Sequence, residues 1–481
     1  MRLTLLAGAS VLLLSGCAAT GPAPQAKATQ THASVDTRAK NIIFFLGDGM
    51  GINTLTAARI YAVGEDGELT IDTLPESAFV KTFSNDAQVT DSAASMSAYM
   101  TGVKQNNGVI SMSSDTKSIA PVADANGNKQ VSRCENGRAV PTLAELAKAR
   151  GMAAGVVTTT SVTDATPAAT YAHACHRKVE SDIAAALVPG GAGYNAALGA
   201  NGLDLVFGGG AQFFAPVAQG GKRADGRNLV AELQAKGWRY AADTQQMQAL
   251  AATGQPALGL FAPNHFTYEA ARDPAKQPAL ADMTAKAIDI LSRNPNGFFL
   301  MVEGGLIDHA LHATLAKRAL QETVSYNAAL KVAIDRMNAI DPGLKNTLIV
   351  ATADHDHTLL INGYSPRTGK TTPTNPGVLG LVRSLPDNKV RLDKDGAPFT
   401  ILGFGTGEHR IQGSRKDVKL TDEIAASDDY HQEAVVRTRT GAETHGGADV
   451  YLGAIGANAE LFRGTIDNTR VFNLIKTAGD L

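Results

Sequence analysis

Three cysteines in 481 residues, Cys17, Cys134 and Cys175, are too few for a disulfide-built scaffold, and no Cys-x-x-Cys pair is present to form a zinc knuckle. Charge of one sign is lacking too. The 44 basic side chains face 46 acidic ones, so the chain has no basic footprint of the kind nucleic-acid binding needs. Only 19% of residues are charged while 44% are hydrophobic, which excludes an intrinsically disordered chain. Long apolar runs are scarce: the one near the start, Leu3 to Leu14, is too short to span a bilayer. From Asn41 onward there is neither an internal repeat nor a long polar linker. A chain of this length and composition buries a large core, as a globular enzyme does.

The beginning reads as an address. Arg2, the apolar run and Ser15-Gly16-Cys17 have the order of an export signal that ends in small residues. Leu14-Ser15-Gly16-Cys17 also resembles the bacterial lipobox, in which the cysteine is lipidated and becomes the mature N-terminus. Residues 1–17 are thus expected to be a lipoprotein signal peptide, an ordinary cleaved signal being the alternative. Ala18 stands where an inner-membrane retention signal usually has Asp, which favours the periplasmic face of the outer membrane. Residues 18–40, rich in Ala, Thr, Gln and Pro with no apolar periodicity, are expected to be a flexible tether. Membrane contact is expected only through a lipid on Cys17. Export implies an oxidising compartment, where Cys134 and Cys175 either pair or stay as two buried thiols; spacing does not choose between them.

From Asn41 short apolar runs alternate with helical stretches, the pattern of an α/β domain over residues 41–481. Strands are expected at Ile42–Leu46, Ala153–Thr158, Leu203–Phe207, Phe298–Val302, Thr347–Ala351 and about Val450–Ala454. Helices are expected at Thr142–Arg150, Met283–Ser292, Leu315–Ala339 and Thr469–Ala478. From about residue 363 to 440, Gly, Pro, Thr and charged residues with little periodicity suggest an insert riding on the sheet as a lid, a dimer contact or a substrate collar. Ligands of open α/β sheets gather beyond the carboxyl ends of the strands. Asp48, Glu303 and the Asp354-His355 pair stand at such ends, as does the polar run Thr158 to Asp164.

Three segments have metal-ligand character: Glu303 with Asp308 and His312, Asp354 with His355, and His445. Asp308 and His312 are four apart, so one helical turn puts them on one face. His and carboxylate in threes suit catalytic zinc, while carboxylates with a threonine hydroxyl suit magnesium. Asp48 is the bridging carboxylate. Taken singly each is a weak signal, and their joint placement at strand ends gives them weight. Ser92, opening a helical stretch after Asp91, has backbone N–H groups beside it that favour an attacking alkoxide and a phosphoryl group. It is equally placed to be a plain N-cap. No Gly-x-Ser-x-Gly elbow surrounds it, which weakens an ordinary serine-hydrolase reading. Arg177 offers the planar fork that holds two phosphate oxygens.

Six ordered segments, Ile42–Gly51, Thr90–Ala94, Val157–His173, Gly297–Ala313, Ala351–His357 and Glu443–Gly447, resemble the alkaline phosphatases, the animal type more than the enterobacterial one. The resemblance covers most of residues 41–478 and is weak across the insert. It implies a mostly parallel central sheet flanked by helices with a crown-like insert, a homodimer, and a site with two zinc ions and one magnesium. Asp308, His312 and His445 match the first zinc's ligands, Asp48, Asp354 and His355 the second's, and Asp48, Thr166 and Glu303 those of magnesium. Ser92 matches the phosphorylated nucleophile, Arg177 the phosphate-binding guanidinium, and Asp91 its orienting partner. Asp164 keeps the bacterial choice, whereas His309 stands where enterobacterial enzymes have lysine, a pairing expected to weaken the hold on phosphate and on magnesium. His173 and His357 are expected to be structural or to support ligands.

The expected activity is hydrolysis of phosphate monoesters through a phosphoserine. Within the same superfamily, a sulfatase needs a Cys/Ser-x-Pro-x-Arg context that Ser92 lacks, and a diesterase is disfavoured by Arg177. A phosphate- or metal-binding lipoprotein without turnover is the remaining alternative.

Overall fold

The computed structural model describes residues 38–122, 134–438 and 442–481; the expected export signal, Cys17 and nearly all of the tether lie outside the described residues. The sheet's strands, in chain order, begin with β1 (Asn41–Gly47), β2 (Glu76–Lys81), β3 (Ala153–Ser161), β4 (Leu205–Gly209) and β5 (Arg239–Ala241). They continue with β6 (Ala257–Leu260), β7 (Phe298–Gly304), β8 (Thr347–Ala353), β9 (Asp356–His357), β10 (Leu359–Ile361), β11 (Leu402–Gly407), β12 (Ala434–Arg437), β13 (His445–Gly446), β14 (Val450–Gly456) and β15 (Gly464–Asp467). Ten of them form one sheet in the order β15-β2-β14-β8-β1-β7-β3-β4-β6-β5. The central strands are apolar runs buried on both faces, as parallel strands covered by helices must be. β14 alone runs against its neighbours β8 and β2.

The helices that matter here are α1 (Ile52–Val63), α2 (Ser92–Thr101), α3 (Leu143–Ala149), α4 (Ala165–Tyr171), α5 (Leu280–Leu291), α6 (Leu306–His312), α7 (Ala316–Ile340) and α8 (Asn468–Gly479). α5 turns Met283, Ala287, Ile288 and Leu291 inward, the spacing of an amphipathic helix. α2 is different. Its small residues allow all ten positions to be buried, so it can sit deep between α4 and α8. Asp91 caps it by accepting the Ala94 N–H at 3.0 Å.

Register places the site. Leu46 lies opposite Glu303 on one side and Thr352 on the other, and Glu303 lies opposite Thr158. The carboxyl ends of β3, β7, β1 and β8 are therefore level, and the residues just beyond them share one edge. The mostly parallel helix-flanked sheet expected from the sequence is the observed fold. The expected strand at Leu203–Phe207 forms two residues later, and the outer strands β2, β5, β6 and β15, of which β15 and β5 are the edges, had no clear signal.

The region 363–440 is not devoid of regular structure. β11 and β12 lie within it and join β10 in a separate three-stranded sheet. It is fastened near the end of α6, where Gln432 N–H donates to Thr314 O at 2.9 Å and His431 Nδ1 to Ala313 O at 2.6 Å. Cys134 and Cys175 form a disulfide, with Cα atoms 5.5 Å apart. No helix among the described residues is long and apolar enough to cross a membrane.

Candidate active site

Each element end delivers one or two polar groups to the common edge. β1 stops at Gly47, and Asp48 comes next. The chain then turns at Gly49, whose φ of +66° and whose proximity to His357, 2.4 Å from where a Cβ would sit, leave room for no side chain. This turn lets Gly49 N–H donate to Asp354 Oδ1 at 3.0 Å, tying the ends of β1 and β8 together. β7 carries Glu303 one residue before its end, α6 carries Asp308, His309 and His312, and the pairing of β13 with β9 sets His445 opposite His357. Ser92 opens α2 and is 2% exposed. Thr166 lies in the first turn of α4, capped by Asp164.

These residues converge. His312 Nε2 lies 3.0 Å from His445 Nε2 and 3.3 Å from Asp308 Oδ1, and His445 Nε2 is 3.5 Å from Asp308 Oδ1. Next to them, His355 Nε2 is 3.3 Å from Asp48 Oδ1 and 3.5 Å from Asp354 Oδ2. Ser92 Oγ sits 3.3 Å from His355 Nε2 and 3.5 Å from Asp48 Oδ1. Thr166 Oγ1 donates to Asp48 Oδ2 at 3.3 Å.

The histidine tautomers follow from the backbone. Nδ1 of His312 faces Glu443 O at 2.7 Å, that of His445 faces Thr90 O at 2.8 Å, and that of His355 faces Asp356 O at 3.2 Å. A carbonyl can only accept, so each Nδ1 carries the ring proton and each Nε2 presents a bare lone pair. Burial depresses all three imidazole pKa values, which keeps the rings neutral. Two bare nitrogens 3.0 Å apart repel unless a cation lies between them. Asp354 Oδ2 is buried with no hydrogen-bond partner among the described residues, a further electron-pair donor for a cation.

Burial raises the carboxyls of Asp48, Asp354 and Glu303, Asp354 to about 7 and Glu303 to about 8, and the neighbouring acids add to it. Asp308 goes the other way. Burial opposes its ionisation, but the imidazoles around it, His312 foremost, and the hydrogen bond from His357 draw it well below the usual carboxylate range.

Arg177 reaches the edge from the other side, held by Asp91 Oδ2 at 3.2 Å and Asp164 Oδ1 at 3.1 Å. Each contact takes one N–H of Nη1 or Nη2, so the second N–H on each is left for a ligand. His309 Nε2 stands 3.9 Å from Asp164 Oδ2, and its ring meets His265 edge-on with centroids 4.4 Å apart.

His357 supports the site: its Nε2 is 2.8 Å from Asp308 Oδ1 and its Nδ1 2.5 Å from Glu443 Oε2. His173 lies away from the cluster, bound to Ser111 O and Glu145 Oε1. The sequence marks Thr158 and Thr160 only as part of a polar run at a strand end, with no role on the Glu303 carboxylate where both lie, and it does not single out His265 beside Asp164 or the Glu443 side chain. The run of three threonines at a strand end was the available signal for the first two.

The model of the alkaline phosphatase family matches residues 39–481. An alkaline phosphatase of Gadus morhua is 36% identical over 468 residues, spanning 91% of each chain. The tissue-nonspecific alkaline phosphatase of Homo sapiens is 35% identical over 465 residues, spanning 90% of this chain and 82% of that one. The crystal structure of Thermus thermophilus alkaline phosphatase shares the fold at a TM-score of 0.64 and 24% identity, over 95% of each chain. The chain belongs to the alkaline phosphatase family, enzymes that act on phosphate monoesters.

Proposed function

We propose that this chain hydrolyses phosphate monoesters through a phosphoserine on Ser92, in a site that takes two zinc ions and one magnesium. The observation that carries the reading is the meeting of bare Nε2 atoms and carboxyl oxygens beside the Ser92 hydroxyl. Nitrogen and carboxylate donors at tetrahedral ligand spacing fit zinc, and the unpartnered Asp354 Oδ2 fits a cation as well. Asp308, His312 and His445 would hold one zinc; Asp48, Asp354 and His355 would hold the other. Asp48, Thr166 and Glu303 are the oxygen donors for magnesium. When bound, these cations supply charge neutralisation at the attacking and leaving oxygens and a nucleophile at neutral pH.

The chain's own residues do the rest. Ser92 at the start of α2 points its Oγ at the cluster, and the helix N-terminus favours the phosphoryl charge. Arg177, fixed by two carboxylates, would meet the non-bridging oxygens with the N–H groups that Nη1 and Nη2 have left. The burial of Ser92 keeps bulk water from the nucleophile until the alcohol has left.

A fork set for unesterified oxygens discriminates against diesters. A chromogenic monoester is therefore expected to turn over at least about 100-fold faster than the matching diester, and Arg177→Ala is expected to erase most of that preference. Faster diester turnover by the unaltered enzyme, or an unchanged preference in the variant, would remove Arg177 from phosphate binding.

The same reading carries a catalytic domain over residues 41–481 with its insert at about 363–440, a homodimer, and a lipid anchor on Cys17 at the periplasmic face. Palmitate labelling that survives Cys17→Ala would remove the anchor.

A further inference from the structure

We propose that Thr158 and Thr160 are positioning residues for the divalent-cation site at Glu303, working as a hydroxyl clamp that reserves one carboxylate oxygen for the ion. Both side chains lie at the carboxyl end of β3 and are buried, and both bond the same atom, Glu303 Oε2. The Thr158 hydroxyl donates to Oε2 in the shorter contact. Thr160 Oγ1 lies 3.1 Å from Oε2 and 2.8 Å from Thr158 Oγ1, so its proton is shared between the two. Thr160 N–H also donates to Thr158 Oγ1 at 2.8 Å. Two donors thus polarise the Thr158 hydroxyl, which strengthens its own bond to the carboxylate.

The consequence is directional. With Oε2 occupied, the lone pairs of Oε1 are the ones left, and no hydrogen bond among the described residues reaches that oxygen. Gly305 keeps the surroundings of Oε1 clear: a Cβ there would come within 2.9 Å of Oε1 and 2.4 Å of Thr160 Cγ2. The middle residue, Thr159, faces elsewhere. Its Oγ1 accepts the N–H groups of Gly305 at 3.0 Å and Leu306 at 3.3 Å, fixing the start of α6. One run of three hydroxyls therefore sets both the Glu303 carboxylate and the helix that carries Asp308 and His312. Magnesium demands near-ideal octahedral placement of its oxygen ligands, so a carboxylate free to rotate is a poorer ligand than one held still.

This inference rests on the reading of Glu303 as a magnesium ligand, and the test separates the two. Zinc-loaded protein, stripped of magnesium, is titrated with Mg²⁺ in a calorimeter for the unaltered chain and for Thr158→Val, Thr160→Val, the double variant, Thr158→Ser and Glu303→Gln. Thr158→Val and the double variant are expected to weaken Mg²⁺ binding by about 10- to 100-fold, and Thr158→Ser, which keeps the hydroxyl, to restore it to within about threefold. Melting curves identify any variant that fails to fold, and Thr160→Val, with its partial share of the clamp, then serves in place of the double variant. Unchanged Mg²⁺ affinity in folded Thr158→Val, while Glu303→Gln loses the ion, would overturn the clamp alone. If Glu303→Gln binds Mg²⁺ normally, the ligand assignment itself fails. An equal loss in Thr158→Val and Thr158→Ser would reduce Thr158 to a packing role and also overturn the proposal.

Discussion

Ser92→Ala is expected to cut monoester turnover by roughly 10⁴- to 10⁶-fold while leaving the fold and the inhibition by inorganic phosphate nearly unchanged. The substitution removes one oxygen at the first turn of a helix where alanine is favoured, so stability has little reason to fall. No neighbour can take over the attack. Ser95 Oγ is spent on the Asp354 carbonyl at 2.6 Å, and Ser97 Oγ accepts the Ser111 N–H at 2.9 Å. Arg177 and its two carboxylates are untouched, which is why phosphate should still compete for the site. A variant that retained more than about a hundredth of the turnover, or a denatured wild-type protein that carried no label on Ser92 after quenching with labelled substrate, would end the phosphoserine route.

Removal of the metals is expected to have an effect of similar size on activity, at least about 10³-fold, and a second effect on stability whose sign depends on pH. In the metal-free fold Asp354 titrates at about 7, Glu303 at about 8 and His357 at about 10, all raised above their unfolded values. Burial raises the first two; for His357 burial acts the other way and the hydrogen bonds to Asp308 and Glu443 prevail. Between about pH 6.5 and about pH 8 the folded protein therefore holds protons that the unfolded chain has released, and its stability falls as pH rises. The depressed histidines, His312, His355 and His445, oppose this only below about pH 6.5, where their unfolded counterparts are charged. The chelated protein should lose a few degrees of melting temperature across that interval, roughly 2–4 °C per kcal/mol. Zinc and magnesium, which need the ligands deprotonated, should raise the melting temperature more at about pH 8 than at about pH 6.5. A metal-free protein that gained stability over the same range would contradict the raised carboxyls of Asp354 and Glu303.

Much of this was readable in the residues because the central strands are unbroken apolar runs that end in charged or imidazole side chains. Asp48, Glu303, Asp354 and His355 announce themselves in that way. The edges were not readable. β2 is a short strand with charged ends and one solvent face, and α1 is rich in alanine and threonine with no apolar stripe, so neither has a distinctive period. Hydroxyls in a buried strand look like packing, which hid Thr158 and Thr160. The tautomers of His312, His355 and His445 depend on which carbonyl each Nδ1 meets, a matter of tertiary structure that spacing does not encode. The disulfide was an open choice in sequence because Cys134 and Cys175 are 41 residues apart.

The leading strand of the sheet supplies Asp48 and the short β13 strand supplies His445, so the ligand polygons close only when almost the entire domain has come together. In chain order the proposed magnesium donors are complete at Glu303 and one proposed zinc set at His355, whereas the other waits for His445. Under the proposed ligand assignment, a product truncated before His445 would hold one zinc set without the other. If the proposed export holds, the ions would be acquired where the finished chain folds, and the supply there would set how much of the folded protein becomes active.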